Sequence, residues 1–427
     1  MSTTKSRRDF FKKAITAGAA LAPLSLTFGQ GLEQAVERSP MSSDPSDLKI
    51  TAVQCAFIRN GSGLFVKIRT NQDIYGCGEG VDAVPGTYHF VKNLERRLVD
   101  KNPLNVHRLF EDLRRGGVFQ GAQGGMYIAV LSAIETALWD IAGKALGVPV
   151  YQLLGGKFRD KIRVYVDTAL YQQNLPTPED FAKTALEAKK MGFTAIKFDL
   201  DQFNDPKKYD RYNWTASPGE LQRMEDQVAA AREAVGPEID ICCDMHGRYD
   251  VTTGQQVAKR LEPYNLMWLE EPIPAENDEA YKLISESTTT PICAGENLYL
   301  AHGFRRLLEI GAVDIIMPDL QKAGGLGEGQ RIANLSNLYY VPFAPHMVAS
   351  FLGAMASCHV CASVPNFMIL EWQTYFHTNP MFDEIVIFDG PKIEKGFIAL
   401  SEAPGIGVDI NEEGMKKYAT EGYPFFK

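Results

Sequence analysis

The sequence predicts an α/β protein, a barrel of eight consecutive parallel β/α units preceded by a smaller α+β domain. Three observations predict it. Six polar residues, Asp244, Glu270, Glu296, Asp319, His346 and Glu371, each end a short apolar run and follow one another at steps of 23 to 27 residues. Such a step is one strand, one helix and two short loops. Two further β-rich runs, at 162–166 and 193–197, extend the series upstream to eight. Finally, the runs need little internal alternation, as expected of parallel strands buried on both faces. Polar residues at the carboxyl ends of barrel strands converge on one mouth, the face on which barrels carry reactive groups.

Taken in order, the chain opens with an address. Ser6-Arg7-Arg8-Asp9-Phe10-Phe11-Lys12 is a twin-arginine pattern, and the uncharged stretch at 14–29 is too short and too weakly apolar to remain as a spanning helix. Residues 1–40 are therefore read as signal and linker, with export to the periplasm by the twin-arginine route. No other stretch reads as apolar enough to cross a bilayer, so the mature form is expected to have no membrane insertion. A net charge of −9 argues against a nucleic-acid partner, which would need a basic footprint. Seven cysteines, an odd number scattered through strand and helix segments, do not read as a disulfide framework.

Residues 48–160 form the α+β domain. Runs at 51–58 and 63–70 flank Asn60-Gly61, a strong hairpin signal, and 74–78 adds a third strand. A helix follows with Leu131, Ile134, Leu138, Ile141 and Ala142 on one face, stopped by Gly147 and Pro149. The five glycines at 116–125 make either a loop over a site or a permissive linker. The barrel occupies 161–375, and its one break in period is a loop insertion between Leu200 and Gly219, on the mouth side. Residues 376–427 lack the period and are expected to pack back on the first domain.

Asp244, Glu270 and Glu296 at adjacent strand ends would repel one another unless a cation lay between them. An all-oxygen set selects a hard divalent ion, Mg²⁺ first and Mn²⁺ second. Glu271 points the other way on an ideal strand. His346 is the leading base, with Asp319 on the preceding strand placed to fix its tautomer and raise its basicity. The competing role for Asp319 is to cap the next helix through the Gly324-Gly325 turn. His246, two residues after Asp244, reaches the same side if the strand continues, and offers an acid. Lys197 is placed to hold a substrate carboxylate, while Asp199 either faces the substrate or makes a surface salt bridge. Glu371 either donates to a developing enolate oxygen or makes an ion pair at the mouth. Cys358-His359-Val360-Cys361 has no second pair to complete a zinc site and reads as core packing.

These residues carry a resemblance. Leu153-Leu154-Gly155-Gly156, Trp268-Leu269-Glu270-Glu271-Pro272, Ala294-Gly295-Glu296, Pro318-Asp319 with Gly324-Gly325, and Pro345-His346 together resemble the enolase superfamily, mandelate racemase subgroup, from about residue 48 to the end. The resemblance implies a modified (β/α)₇β TIM-like barrel under an N-terminal α+β capping domain. It also implies Mg²⁺ on Asp244, Glu270 and Glu296, enolate chemistry, and an even-numbered homo-oligomer. Racemases of this group resemble Lys-x-Lys on the second strand, where this chain has Lys197 and Asp199. The Asp244-x-His246 pairing is similar to the galactonate- and mannonate-type sugar-acid dehydratases. The expected activity is Mg²⁺-dependent dehydration of a small-molecule sugar acid, an aldonate or aldarate, to a 2-keto-3-deoxy acid. His346, oriented by Asp319, takes the α-proton, Lys197 and Glu371 hold the carboxylate, and His246 protonates the departing β-hydroxyl. The alternatives are epimerisation, racemisation or cycloisomerisation through the same enolate, and a non-catalytic sugar-acid-binding protein.

Overall fold

The computed structural model describes residues 47–427 apart from 59–62, 169, 171, 172, 174, 202–209 and 211 and the side chains of 375 and 377. The twin-arginine segment, the Asn60-Gly61 turn and half of the insertion after Leu200 lie outside the described residues. Strands β1 (Ile50–Ile58), β2 (Gly63–Thr70) and β3 (Tyr75–Val81) pair antiparallel in that order. Helices α1 (Tyr88–Leu98), α2 (Val106–Gly116) and α3 (Gly125–Leu146) follow. Gly76 and Gly78 alternate along β3 and so face α3 together. A Cβ on either would stand 2.1 Å from a helix carbonyl oxygen, that of Ala137 or Ala133. Glycine at every second strand position against alanine at every fourth helix position lets the two backbones touch.

α3 is expected to bury one face. In the structure almost its whole circumference is buried, because it lies between the sheet and the barrel. It is also the one described helix long and apolar enough to cross a membrane, which corrects the expectation that no stretch beyond the leader qualifies; protein covers it here.

After the single turn of α4 (Val150–Leu153) the barrel begins. Its strands are β4 (Lys161–Asp167), β5 (Ala195–Asp199), β6 (Asp240–Asp244), β7 (Trp268–Glu270), β8 (Ile292–Ala294), β9 (Ile315–Ile316) and β10 (Leu370–Gln373). Neighbours pair in parallel from β4 to β9, and β10 returns to pair with β4. The strand expected at 341–345 is reduced to single parallel bridges from Phe343 to Ile316 and to Phe367. Pro342 and Pro345 have no N–H to give a ladder. The circuit is carried instead by Ala344 N–H to Ile316 O at 3.0 Å and Met368 N–H to Phe343 O at 2.9 Å.

Helices α5 (Pro178–Lys190), α6 (Pro218–Val235), α7 (Val251–Leu261), α8 (Asp278–Ser285), α9 (Leu300–Glu309), α10 (Leu326–Asn337) and α11 (Phe351–Ser363) complete the units. α5 and α6 start at capping boxes, Thr177 with Asp180 and Ser217 with Glu220, each followed by proline at the first helical position. α10 is capped from the first domain, and Ser350, whose side chain caps α11, is held from it. Glu135 on α3 accepts the Leu326 and Gly327 N–H groups at 2.7 and 2.9 Å, and Glu79 on β3 accepts the Ser350 N–H at 2.9 Å. A carboxylate at a helix N-terminus satisfies orphan donors and opposes the helix dipole. Asp140 on α3 accepts the Cys77 and Ile406 N–H groups, so one buried carboxylate joins the helix, the sheet and the C-terminal segment. That segment also covers the outer edge of β1, with Thr420 and Phe426 N–H on the Phe57 and Cys55 carbonyls.

All seven cysteines are free and buried. Cys358 and Cys361 lie inside α11, and between them His359 accepts the Tyr151 N–H on Nδ1 at 3.2 Å and gives its Nε2 proton to the Ile406 carbonyl at 3.0 Å. The ring is therefore neutral, and burial pushes its pKa down to about 4. An unfolded histidine titrates near about 6.5, so the unfolded chain binds the proton first as pH falls. The group is neutral to stability above that pH and costs about 3 kcal/mol by pH 4. The melting temperature of the wild type should fall across this window more steeply than that of His359→Gln; parallel curves would refute the assignment.

Candidate active site

Inside the barrel, side chains from successive strands form a small cluster apart from the main core, among them Tyr165, Ala195, Cys242, Trp268, Met317, Ala344 and Ile369. Two residues on from each, on the same strand face, stand Asp167, Lys197, Asp244, Glu270, Asp319, His346 and Glu371, all buried. The polar floor of the mouth is thus the next layer above an apolar plug. β8 breaks this parity. Two residues beyond Cys293 comes Gly295, whose φ of +140° turns Glu296 into the mouth. Only glycine takes that conformation readily, and a Cβ there would meet Phe304 at 2.6 Å.

Asp244, Glu270 and Glu296 each place one oxygen within 4.8 Å of the others. Lys197 Nζ lies 3.1 Å from Asp244 Oδ2, 3.3 Å from Glu270 Oε1 and 3.2 Å from Glu371 Oε1. Burial, with Asp244 beside it, pushes Glu270 well above the usual carboxylate range. Burial opposes ionisation of Asp244 and Glu296 too, but the charges of His246 and Lys197 hold the first low and His346 holds the second low. One ammonium does not balance this set, and the donors are all hard oxygens, so the site fits a divalent cation. Glu271 lies just past the end of β7 with φ +32° and is not one of the three clustered carboxylates. It accepts the Gly295 N–H at 3.3 Å and Asn297 Nδ2 at 2.8 Å, and Asn297 also donates to Glu296 Oε1 at 3.0 Å. The loop that carries Glu296 is tied down from both sides.

Across the mouth, His346 Nδ1 lies 2.8 Å from Asp319 Oδ2 and Nε2 lies 3.0 Å from Glu296 Oε2. Burial works against charge on this ring, but Glu371 and Glu296 hold its pKa well above the ordinary histidine value. Asp319 does not cap the next helix. Its second oxygen takes the Gln321 N–H at 2.8 Å, and the helix N-terminus belongs to Glu135. Glu371 is met by Lys197 and Gln373 on Oε1 and by the Met347 N–H on Oε2.

His246 arrives by a route the sequence does not suggest. β6 ends at Asp244, and His246 turns with φ +45° rather than extending the strand. Its N–H binds Asp244 Oδ1 at 2.8 Å, its Nδ1 lies 2.8 Å from Asp201, and Nε2 faces Asp244 Oδ2 at 3.7 Å. The Asp244 charge outweighs burial and pushes the ring pKa up to about 12. Arg248 pairs with the other Asp201 oxygen. Asp199 makes no surface salt bridge: it is buried, and an oxygen of it lies within 4.8 Å of ligand atoms of Asp244 and His246. Sequence reasoning missed Asp167, Asp201, Asn297 and Lys322. Asp167 was findable, since Tyr165-x-Asp167 repeats the two-residue step of the other strands. Lys322 had no signal; it joins Asp82 of the first domain at 2.8 Å to Asn297 Oδ1 at 3.1 Å.

Residues 34–155 match the N-terminal domain of the mandelate racemase / muconate lactonizing enzyme family, and residues 180–414 match the enolase C-terminal domain-like family. The chain is similar to D-xylonate dehydratase of Haloferax volcanii, 37% identical over 89% of this chain and 91% of that one. It is 32% identical to D-galactonate dehydratase of Variovorax paradoxus over 82% and 89% of the two chains. A crystal structure of a mandelate racemase/muconate lactonizing enzyme-like protein from Rubrobacter xylanophilus superimposes with a TM-score of 0.85 at 44% identity, covering 89% of this chain and all of that one. With both domains matched in order around this constellation of carboxylates, lysine and histidine, the chain belongs to the mandelate racemase subgroup of the enolase superfamily.

Proposed function

We propose that the protein is a metal-dependent sugar-acid dehydratase, a hydro-lyase that converts an aldonate or aldarate to a 2-keto-3-deoxy acid. The observation that carries the reading is the pairing of the Asp244–Glu270–Glu296 cluster with an Asp319-oriented His346 facing it across one mouth. The similarity to two sugar-acid dehydratases over most of their length supports it. Asp244, Glu270 and Glu296 would hold the ion, and we assign it as Mg²⁺, with Mn²⁺ as substitute, because the donors are all hard oxygens. Bound there, it supplies Lewis acidity to the substrate carboxylate and offsets the anionic charge that now holds the His346 proton.

The chain's own groups do the rest. Lys197, buried among Asp244, Glu270 and Glu371, offers its ammonium to the carboxylate oxygens, and Glu371 fixes that ammonium in place. Asp319 holds the Nδ1 proton of His346, which leaves Nε2 to take the α-proton. His246, held by Asp201 on Nδ1, turns Nε2 inward and gives its proton to the β-hydroxyl, which leaves as water. The enol so formed tautomerises to the 2-keto acid. We further propose export by the twin-arginine route and an even-numbered homo-oligomer; the leader pattern supports the first and the family resemblance the second.

Two outcomes follow. Divalent ion at one hundred times its dissociation constant should add about 2.7 kcal/mol of stability, read as a thermal shift. Asp244→Asn and Glu296→Gln should lose that shift, and Glu271→Ala should weaken ion affinity by about 10- to 100-fold through the loosened Glu296 loop. On an aldonate panel followed by proton NMR in D₂O, His346→Asn should lower turnover by about 100- to 10,000-fold and abolish α-proton exchange. His246→Asn should keep the exchange and lose the dehydration; loss of both would assign His246 a different role.

A further inference from the structure

We infer that Asp167 is a specificity-determining residue whose carboxylate accepts a hydrogen bond from a substrate hydroxyl beyond the one that is eliminated. The inference rests on the dehydratase reading and names what the mouth selects in the rest of the substrate chain.

Lys197, His346 and His246 present donors to the mouth, which suit a carboxylate and a leaving hydroxyl. Asp167 and Asp199 add acceptors beside them. Asp167 ends β4 opposite Lys197 and Gln373, and Asp199 ends β5 opposite Asp244. Asp167 Oδ1 and Asp199 Oδ1 are both buried and have no hydrogen-bond partner among the described residues. A buried acceptor without a partner costs about 1–3 kcal/mol, more when charged, so such groups are rare unless something else supplies the donor.

Asp167 is not simply a counter-ion of Lys197, whose ammonium is within 3.3 Å of three other carboxylates, those of Asp244, Glu270 and Glu371. Two residues on from Tyr165, the Asp167 side chain shares the inward face of β4, and the Gln373 side chain, which donates to Glu371 Oε1 at 2.6 Å, also hydrogen-bonds its carboxyl group. A carboxyl oxygen without a partner, set beside other buried carboxyl groups, suits neither an anion nor an apolar chain and takes a hydroxyl donor. The ligand class is therefore a polyhydroxy acid with its carboxylate toward Lys197 and a further hydroxyl toward β4.

The test is a cycle between protein and substrate. Wild type and Asp167→Ala are assayed on an aldonate and on its 4-deoxy and 5-deoxy analogues, by kcat/KM and, independently of turnover, by ligand-induced thermal shift with Mg²⁺ present. Asp167→Ala should lower kcat/KM on the full aldonate by about 10- to 100-fold and cause no further loss on the analogue missing the hydroxyl it holds. Asp167→Asn, which keeps an acceptor and the Gln373 contact, should recover part of the activity and serves if the alanine variant folds poorly. Equal losses on all three compounds would make Asp167 a structural group and overturn the inference. If the wild type binds aldonates without dehydrating them, the dehydratase reading fails while the thermal-shift cycle still decides Asp167. Absence of any aldonate-induced shift in the wild type would overturn both.

Discussion

Several carboxylates share one water-poor mouth with a single lysine, and the rest of the structure answers to that. Asp244, Glu270, Glu296 and Glu371 surround Lys197 and His346 so closely that their ionisation is decided collectively. Burial drives Glu270 towards its neutral form while Asp244 and Glu296 are held as anions by the nearby cationic side chains. Such a set is tolerable only if every member is placed by rigid backbone, because a small shift leaves a charge unpaired in a medium of low dielectric. Six of the residues are carried by strand ends or the segments just beyond them, where the hydrogen-bonded ladder limits movement.

The smaller domain contributes to that rigidity. It reaches the barrel through carboxylates aimed at helix N-termini: Glu135 holds the head of α10 and Glu79 the head of α11, the helices that follow Asp319 and His346. The base side of the mouth is thereby braced from outside the barrel. Both glutamates depend on the close approach of α3 and β3, which the alternating glycines of β3 allow.

The ion side is braced differently. Asp82 of the first domain meets Lys322, Lys322 meets Asn297, and Asn297 reaches both Glu296 and Glu271. Asp82 is largely exposed, so its pairing with Lys322 is a weak contact by itself. Its place in the chain gives it weight, since Lys322 is buried and its other partner orients the loop that carries Glu296. A movement of the first domain over the mouth would be felt at that carboxylate.

Much of this was legible in the chain. The regular spacing of polar residues after apolar runs reports the β/α unit, because one strand and one helix need about the same length each time, and a strand of short apolar residues cannot be buried on both faces in many other ways. Asp244, Glu270, Glu296, Asp319, His346 and Glu371 follow from that spacing alone. What the period could not specify were departures from it. Glu296 enters the mouth through the positive φ of Gly295, His246 through a left-handed turn past the end of β6, and the expected strand at 341–345 dissolves into bridges at two prolines. Asp82, Glu79, Glu135 and Lys322 acquire their partners only when segments more than 170 residues apart, or on different domains, are brought together. Periodicity records what one segment does with its own faces; which donor meets which carboxylate is decided by the packing of one segment on another, and for that there was no local trace.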